Sequence, residues 1–146
     1  MKIKRIIFFI FFSVLLGILP TLSAVGVIIL PPESPSGTYN FSGCLPPIAE
    51  GKQFKKPSTI PVKFQLTDNF GNLVSNMVAT LRVCNGNNCT DAVSNGNSNT
   101  GSYFRYDFEE QQYIFNLSTK SLSSGMNTLL ITLDDGKTYY CTVAIR

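Results

Sequence analysis

This sequence of 146 residues predicts an antiparallel β-sandwich of about seven short strands, preceded by an N-terminal hydrophobic signal helix. Three observations predict it. Apolar residues alternate with polar ones at period two in several separate runs, each of strand length. Turn sequences rich in Gly, Asn and Asp separate those runs. From Thr38 onward no run keeps a helical period. A small closed barrel fits the same pattern and stands as the alternative. At roughly 150 residues per domain, the length suits a single domain.

The N-terminus comes first in the chain. Lys2, Lys4 and Arg5 form a positive cluster, followed by the apolar run Ile6 to Leu19, broken only by Ser13 and Gly17. Pro20, Thr21, Leu22, Ser23 and Ala24 come next. Charge, a short apolar core, a helix breaker and small residues are the order of a secretory signal peptide. Cleavage is expected after Ala24, giving a signal over 1–24. The alternative is a retained anchor: the apolar character continues to Leu30, close to the roughly 20 residues that span a bilayer. In that case the membrane is reached only through this segment, and the positive cluster still leaves the rest of the chain outside. No Cys closely follows the apolar core, which argues against a lipid-anchored lipoprotein. Residues 25–37, with Pro31, Pro32 and Pro35, read as an extended linker.

Residues 38–146 form the expected sandwich. Tyr39 and Phe41 start a short strand. Ile60, Val62, Phe64 and Leu66 lie on one face of the next, with Pro61, Lys63 and Gln65 on the other. Pro61 falls near its start, where a missing N–H is tolerated. Asp68 to Asn72 is a turn, and Met77, Ala79, Leu81 and Val83 then alternate with Val78, Thr80 and Arg82. Asn85-Gly86 signals a type I′ hairpin, whose central positions both need positive φ. Ser94 to Ser102 is Asn, Gly and Ser apart from Thr100 and is expected as a mobile surface loop. Phe104 and Tyr106 mark another strand, followed by Tyr113, Phe115 and Leu117. Gly125 breaks the chain before Leu129, Ile131 and Leu133. Asp135-Gly136 is a second I′ signal, and Tyr139, Cys141, Val143 and Ile145 end the chain's alternation.

Composition excludes several functions. The net charge of +3 resides in Lys2, Lys4 and Arg5, so the body is balanced and nucleic acid is not an expected partner. There is no His, which removes Ser-His-Asp and Cys-His catalysis and any His-ligated metal. There is no Trp, which weakens a sugar-stacking platform without excluding one.

Several segments are similar to a known module. Tyr39-Asn40-Phe41-Ser42-Gly43, then Ser58-Thr59-Ile60-Pro61-Val62-Lys63-Phe64-Gln65-Leu66, resemble the PxKF domain of prokaryotic surface and secreted proteins. Pro61, Lys63 and Phe64 carry its motif. The likeness continues through Phe104-Arg105-Tyr106-Asp107, Tyr113-Ile114-Phe115-Asn116 and Leu133-Asp134-Asp135-Gly136. Pro57 stands where the family commonly has Gly before the Ser. The resemblance implies an immunoglobulin-like extracellular module, often appended to larger surface proteins, and implies no catalytic residues.

Cys44, Cys84, Cys89 and Cys141 all lie beyond the export signal, where an even count suggests disulfides. Three pairings are open. Cys84 and Cys89 flank a turn that can bring them face to face, which leaves Cys44 with Cys141. Free thiols and a four-thiolate metal site are the alternatives, the latter lacking a second close pair. Asn40, Asn88 and Asn116 head glycosylation sequons. Asp68, Asn69, Asn72, Asp134 and Asp135 offer oxygens of the kind Ca²⁺ takes, but hairpin turns need the same residue types, so no metal or cofactor is expected. Glu109 and Glu110 sit on one turn and cannot flank a substrate as a glycosidase pair does. Lys63 is read as a lysine whose stem covers apolar surface while its head stays wet.

The expected function is therefore non-enzymatic: an extracytoplasmic, secreted or cell-surface β-sandwich acting in structure, adhesion or recognition, with other surface proteins as partners. The alternative is a small module binding polysaccharide through Tyr103, Tyr106, Tyr113, Tyr139 or Tyr140. A row of exposed tyrosines favours sugar binding; tyrosines turned inward favour the structural role.

Overall fold

The computed structural model describes residues 39–146. The signal over 1–24, its cleavage after Ala24, the linker over 25–37 and Thr38 lie outside the described residues.

The described body is nearly all β, with one short 3₁₀ turn at Ile48–Glu50. Its strands are β1 (Asn40–Phe41), β2 (Gln53–Phe54), β3 (Thr59–Phe64), β4 (Leu66–Thr67), β5 (Ala79–Asn85), β6 (Asn88–Asp91), β7 (Arg105–Asp107), β8 (Gln112–Ser118), β9 (Gly125–Leu133) and β10 (Thr138–Ile145). They form a five-stranded sheet in the order β2-β10-β9-β5-β6, a three-stranded sheet β3-β8-β7 and the small pair β1-β4. Layered sheets around one core are the arrangement of a β-sandwich.

Alternation sets which face is buried. Ile60, Val62, Phe64 and Leu66 are all fully buried, as are Phe115, Leu117, Leu129 and Ile131. Inward residues of both large sheets belong to one hydrophobic cluster. At one end of it the Phe64 ring stacks on Tyr113 (4.8 Å between centroids), meets Phe104 edge-on (4.9 Å) and touches Phe41 (5.3 Å). The Tyr113 hydroxyl donates to the Val74 carbonyl and accepts the Met77 N–H, both at 3.0 Å. It thereby ties the segment leading into β5 to the start of β8.

Burial pushes the Tyr113 pKa up to about 12 from 10.0, with the Met77 N–H pulling the other way. The unfolded chain loses that proton near pH 10 and the folded one near 12, so the stability it contributes is intact below pH 10 and lost as pH rises to about 12. Tyr113→Phe leaves Met77 N–H and Val74 C=O unpaired, and a loss of about 1–3 kcal/mol is expected in urea melts at neutral pH. A native ultraviolet titration should show one tyrosine ionising well after the exposed ones.

Four expectations are corrected. The strand over Ile60 to Leu66 is two strands, because β4 leaves β8 and pairs with β1. The sheets are not wholly antiparallel: β2, which the alternation did not mark, pairs parallel with β10. Neither hairpin is type I′. The β5–β6 loop is Gly86-Asn87, closed by the Asn85–Asn88 pair, and only Gly86 has positive φ (58°), the type II′ pattern. The β9–β10 loop has three residues, Asp134, Asp135 and Gly136; the Gly136 N–H donates to Leu133 O, and Gly136 alone is left-handed (φ 85°). That is a turn followed by a bulge.

The fourth concerns Ser94 to Ser102, which is not a free loop. The Ser118 N–H donates to Val93 O and the Asn95 N–H to Asn116 O, so the loop's first residues extend the edge of β8. Between them and β7 the backbone of β8 has no strand beside it. Asn99 fills that gap. Its side chain accepts the Asn116 N–H (3.0 Å) and donates to Ile114 O (3.0 Å) and Tyr103 O (3.1 Å). Asn99→Ala strands those groups at a half-buried edge. It should cost about 1–3 kcal/mol and speed amide exchange at Asn116 while leaving Leu129 protected.

Candidate functional site

Two disulfides organise the body: Cys44 with Cys141, and Cys84 with Cys89, the pairing that the turn around Asn85 suggests. The first ties the segment after β1 to the inner face of β10, next to the core. The second clasps the β5–β6 hairpin at directly opposed positions. No described cysteine is free.

Loop carboxylates gather at one end of the body. β3 ends at Phe64, opposite Tyr113, and β7 ends at Asp107, opposite Gln112. β9 ends and β10 begins at that same end, which the Tyr113 bonds to Val74 and Met77 tie to the start of β5. The turns there each hold an Asp that caps its own backbone. Asp68 Oδ1 accepts the Phe70 N–H (2.8 Å) and the Asn72 N–H (2.9 Å), and Oδ2 accepts from the Asn72 side chain (2.9 Å). Bonds from Asn72 and from neighbouring backbone N–H groups hold its carboxyl below the usual range. Asp107 Oδ1 accepts from Glu109 and Glu110, and Asp135 Oδ1 from Lys137. One oxygen of each of these aspartates is thus engaged by its own turn, while Asp135 Oδ2 is buried without a hydrogen bond and faces Lys137 Nζ at 3.5 Å. Among the described residues no group of three or more Asp, Glu, Cys or His could hold a metal ion.

Two phenylalanines stand out of this end, Phe70 (91% exposed) in the Asp68 to Asn72 turn and Phe108 (78%) between Asp107 and Glu109. Neither was singled out from the sequence, where a lone apolar residue in a turn carries no sign of which way it faces.

The opposite end is basic. The Lys56 N–H donates to Arg146 O and the Arg146 N–H to Phe54 O, joining the exit of β2 to the end of β10. Lys55, Lys56 and Arg146 line an open concavity of about 570 Å³. Lys120, just past β8, lines a smaller one of about 270 Å³ with Pro57, Ser58 and Thr59. Lys56 Nζ donates to Leu122 O, while Lys55, Lys120 and Arg146 extend from exposed positions. Sequence reading missed this patch because its members lie far apart in the chain. The usable signal was that each falls just beyond the end of a strand.

The tyrosines do not form a row. Tyr113 is buried, Tyr139 stacks on Phe41 (4.3 Å), and Tyr106 packs edge-on against Tyr113 (5.0 Å). Tyr103 and Tyr140 are exposed on the outer face of the five-stranded sheet. Tyr103 sits beside Thr80 of β5 and Tyr140 pairs with Leu130 of β9, placing them on opposite sides of that face. At about 4.8 Å per strand they are roughly 14 Å apart.

Lys63 is half-buried on the outer face of the three-stranded sheet, paired with Ile114, which pairs in turn with Arg105. Its carbonyl accepts the Leu45 N–H on the side away from β8. Pro61, two residues earlier, points its N the same way, so its missing N–H costs the ladder nothing. Of the sequon asparagines, Asn40 and Asn88 are exposed and Asn116 is half-buried within β8. Asn40 donates to Asp68 O, and Asn88 is followed by the bridged Cys89.

Comparison with known protein families, characterised proteins and solved structures finds no match to this chain.

Proposed function

We propose that this chain is an exported, non-enzymatic β-sandwich module, immunoglobulin-like and akin to the PxKF domain, serving structure, adhesion or recognition outside the cytoplasm. The observation that carries the reading is the pair of disulfides in a small all-β body that follows a signal-like N-terminus. Disulfides form and persist in oxidising compartments, and the order of charge, apolar core, breaker and small residues is that of an export signal. The likeness to the PxKF domain rests on the segments quoted above alone. A non-enzymatic role is supported by a chain without His whose turn aspartates cap backbone. Three of the five candidate tyrosines pack inward, which favours the structural role over polysaccharide stacking.

Fractionation of producing cells, followed by N-terminal sequencing and thiol labelling, tests the reading. The protein should be found outside the cytoplasm, start near Val25 or remain membrane-held, and resist labelling until reduced. A soluble cytoplasmic protein starting at Met1, with four reactive thiols, overturns it.

A further inference from the structure

The described body holds nine basic and eight acidic side chains, close to balance, but many of its charges are sorted by end. One end carries Lys55, Lys56, Lys120 and Arg146, and among the described residues none of them is in an ion pair. The other carries Asp68, Asp107, Glu109, Glu110, Asp134 and Asp135, with Arg105 and Lys137 paired to Asp107 (3.8 Å) and Asp135 (3.5 Å). A balanced composition does not require this; mixed charges scattered over both ends serve solubility as well.

We propose that the basic end of one copy docks on the acidic end of a second copy, joining copies of this chain head to tail. Charge complementarity selects the occupant, since one end is net positive and the other, even with Arg105 and Lys137, is net negative. Shape and polarity agree. The acidic end leaves Phe70 in solvent, and Phe108 too apart from its edge-on contact with Tyr106, giving two large rings beside carboxylates that a second copy can cover. The basic end offers a concavity of about 570 Å³ walled by Lys55, Lys56 and Arg146, whose aliphatic stems cover an inserted ring while their heads meet the carboxylates around it. Because the two patches differ and lie at opposite ends, the contact is heterologous and does not close on itself, so it builds rows of copies rather than a two-fold dimer. This goes beyond export, and it is read on purified copies, whatever compartment the protein occupies.

The test uses the full chain in nonionic detergent, as tagged and untagged copies. One variant reverses the basic end (Lys55→Glu with Lys120→Glu), the other the acidic end (Glu109→Lys with Glu110→Lys). None of these four side chains makes a hydrogen bond or ion pair among the described residues, and unchanged melting temperatures confirm folding. Should either variant melt early, glutamine at the same positions replaces it. Native copies should retain one another at low ionic strength and separate in about 1 M salt, where the screening length falls to about 3 Å. Either variant alone should bind itself about tenfold or more weakly, and mixing the two should restore association. The proposal fails if native copies do not associate, if salt or reversal changes nothing, or if the mixture stays apart. It fails equally if the basic end retains only an added polyanion such as heparin and no second copy.

Discussion

Phe64→Ala should nearly unfold this protein. The ring is fully buried and contacts three other rings, from β8, the segment before β7, and β1. Those partners come from the strand beside it, from the small β1-β4 pair and from the segment before β7, so the cavity left behind is walled by separate elements and cannot easily collapse. Truncating a buried aromatic to alanine costs about 3–5 kcal/mol. A small domain holds only about 5–15 kcal/mol in total. Lys63→Ala is the matched control, since it changes the neighbouring residue on the opposite face of the same strand. It should cost no more than about 1 kcal/mol, since a half-buried stem loses some packing but leaves no cavity in the core. A pair of urea melts decides. A Lys63→Ala midpoint displaced as far as that of Phe64→Ala would place the lysine in a buried role that its pairing with Ile114 does not suggest.

Opening the Cys44–Cys141 bridge should be the second large effect, well beyond that of Cys84–Cys89. The sequence separations are 97 and 5 residues. In the loop-entropy model the first constrains the unfolded chain by about 4.7 kcal/mol and the second by roughly 2 kcal/mol. Position adds to the difference. The long bridge joins Cys44, beside β1, to an interior strand of the five-stranded sheet, whereas the short one clasps a hairpin already held by its own ladder. Paired Cys→Ser variants, made at both ends of each bridge to leave no odd thiol, should show the ordering in denaturant. Equal losses would mean that the unfolded state is already restricted between Cys44 and Cys141 by residual structure.

Much of this architecture is local and so was readable in the sequence. The side-chain period of a strand is two, so which residues of 60–66, 79–83, 113–117 and 129–133 face inward follows from the order of apolar and polar residues, without knowing any neighbour. The position of each turn follows likewise from Gly, Asn and Asp, and the pairing of Cys84 with Cys89 follows from the short turn between them. Turn type did not follow, because it depends on how many residues the ladders leave unpaired. The Asn85–Asn88 pair, closing behind Gly86-Asn87, sets the register that assigns Gly86 to the first central position. Only tertiary structure decided the rest. Ser94 to Ser102 has the composition of a free loop, yet Asn99 is held there because β8 exposes a backbone gap created by two distant segments. Lys55, Lys120 and Arg146 converge, and Asp68, Asp107 and Asp135 gather opposite them, through the order in which strands enter two sheets. That order is a property of long-range pairing, and no short-range pattern of residue types encodes it.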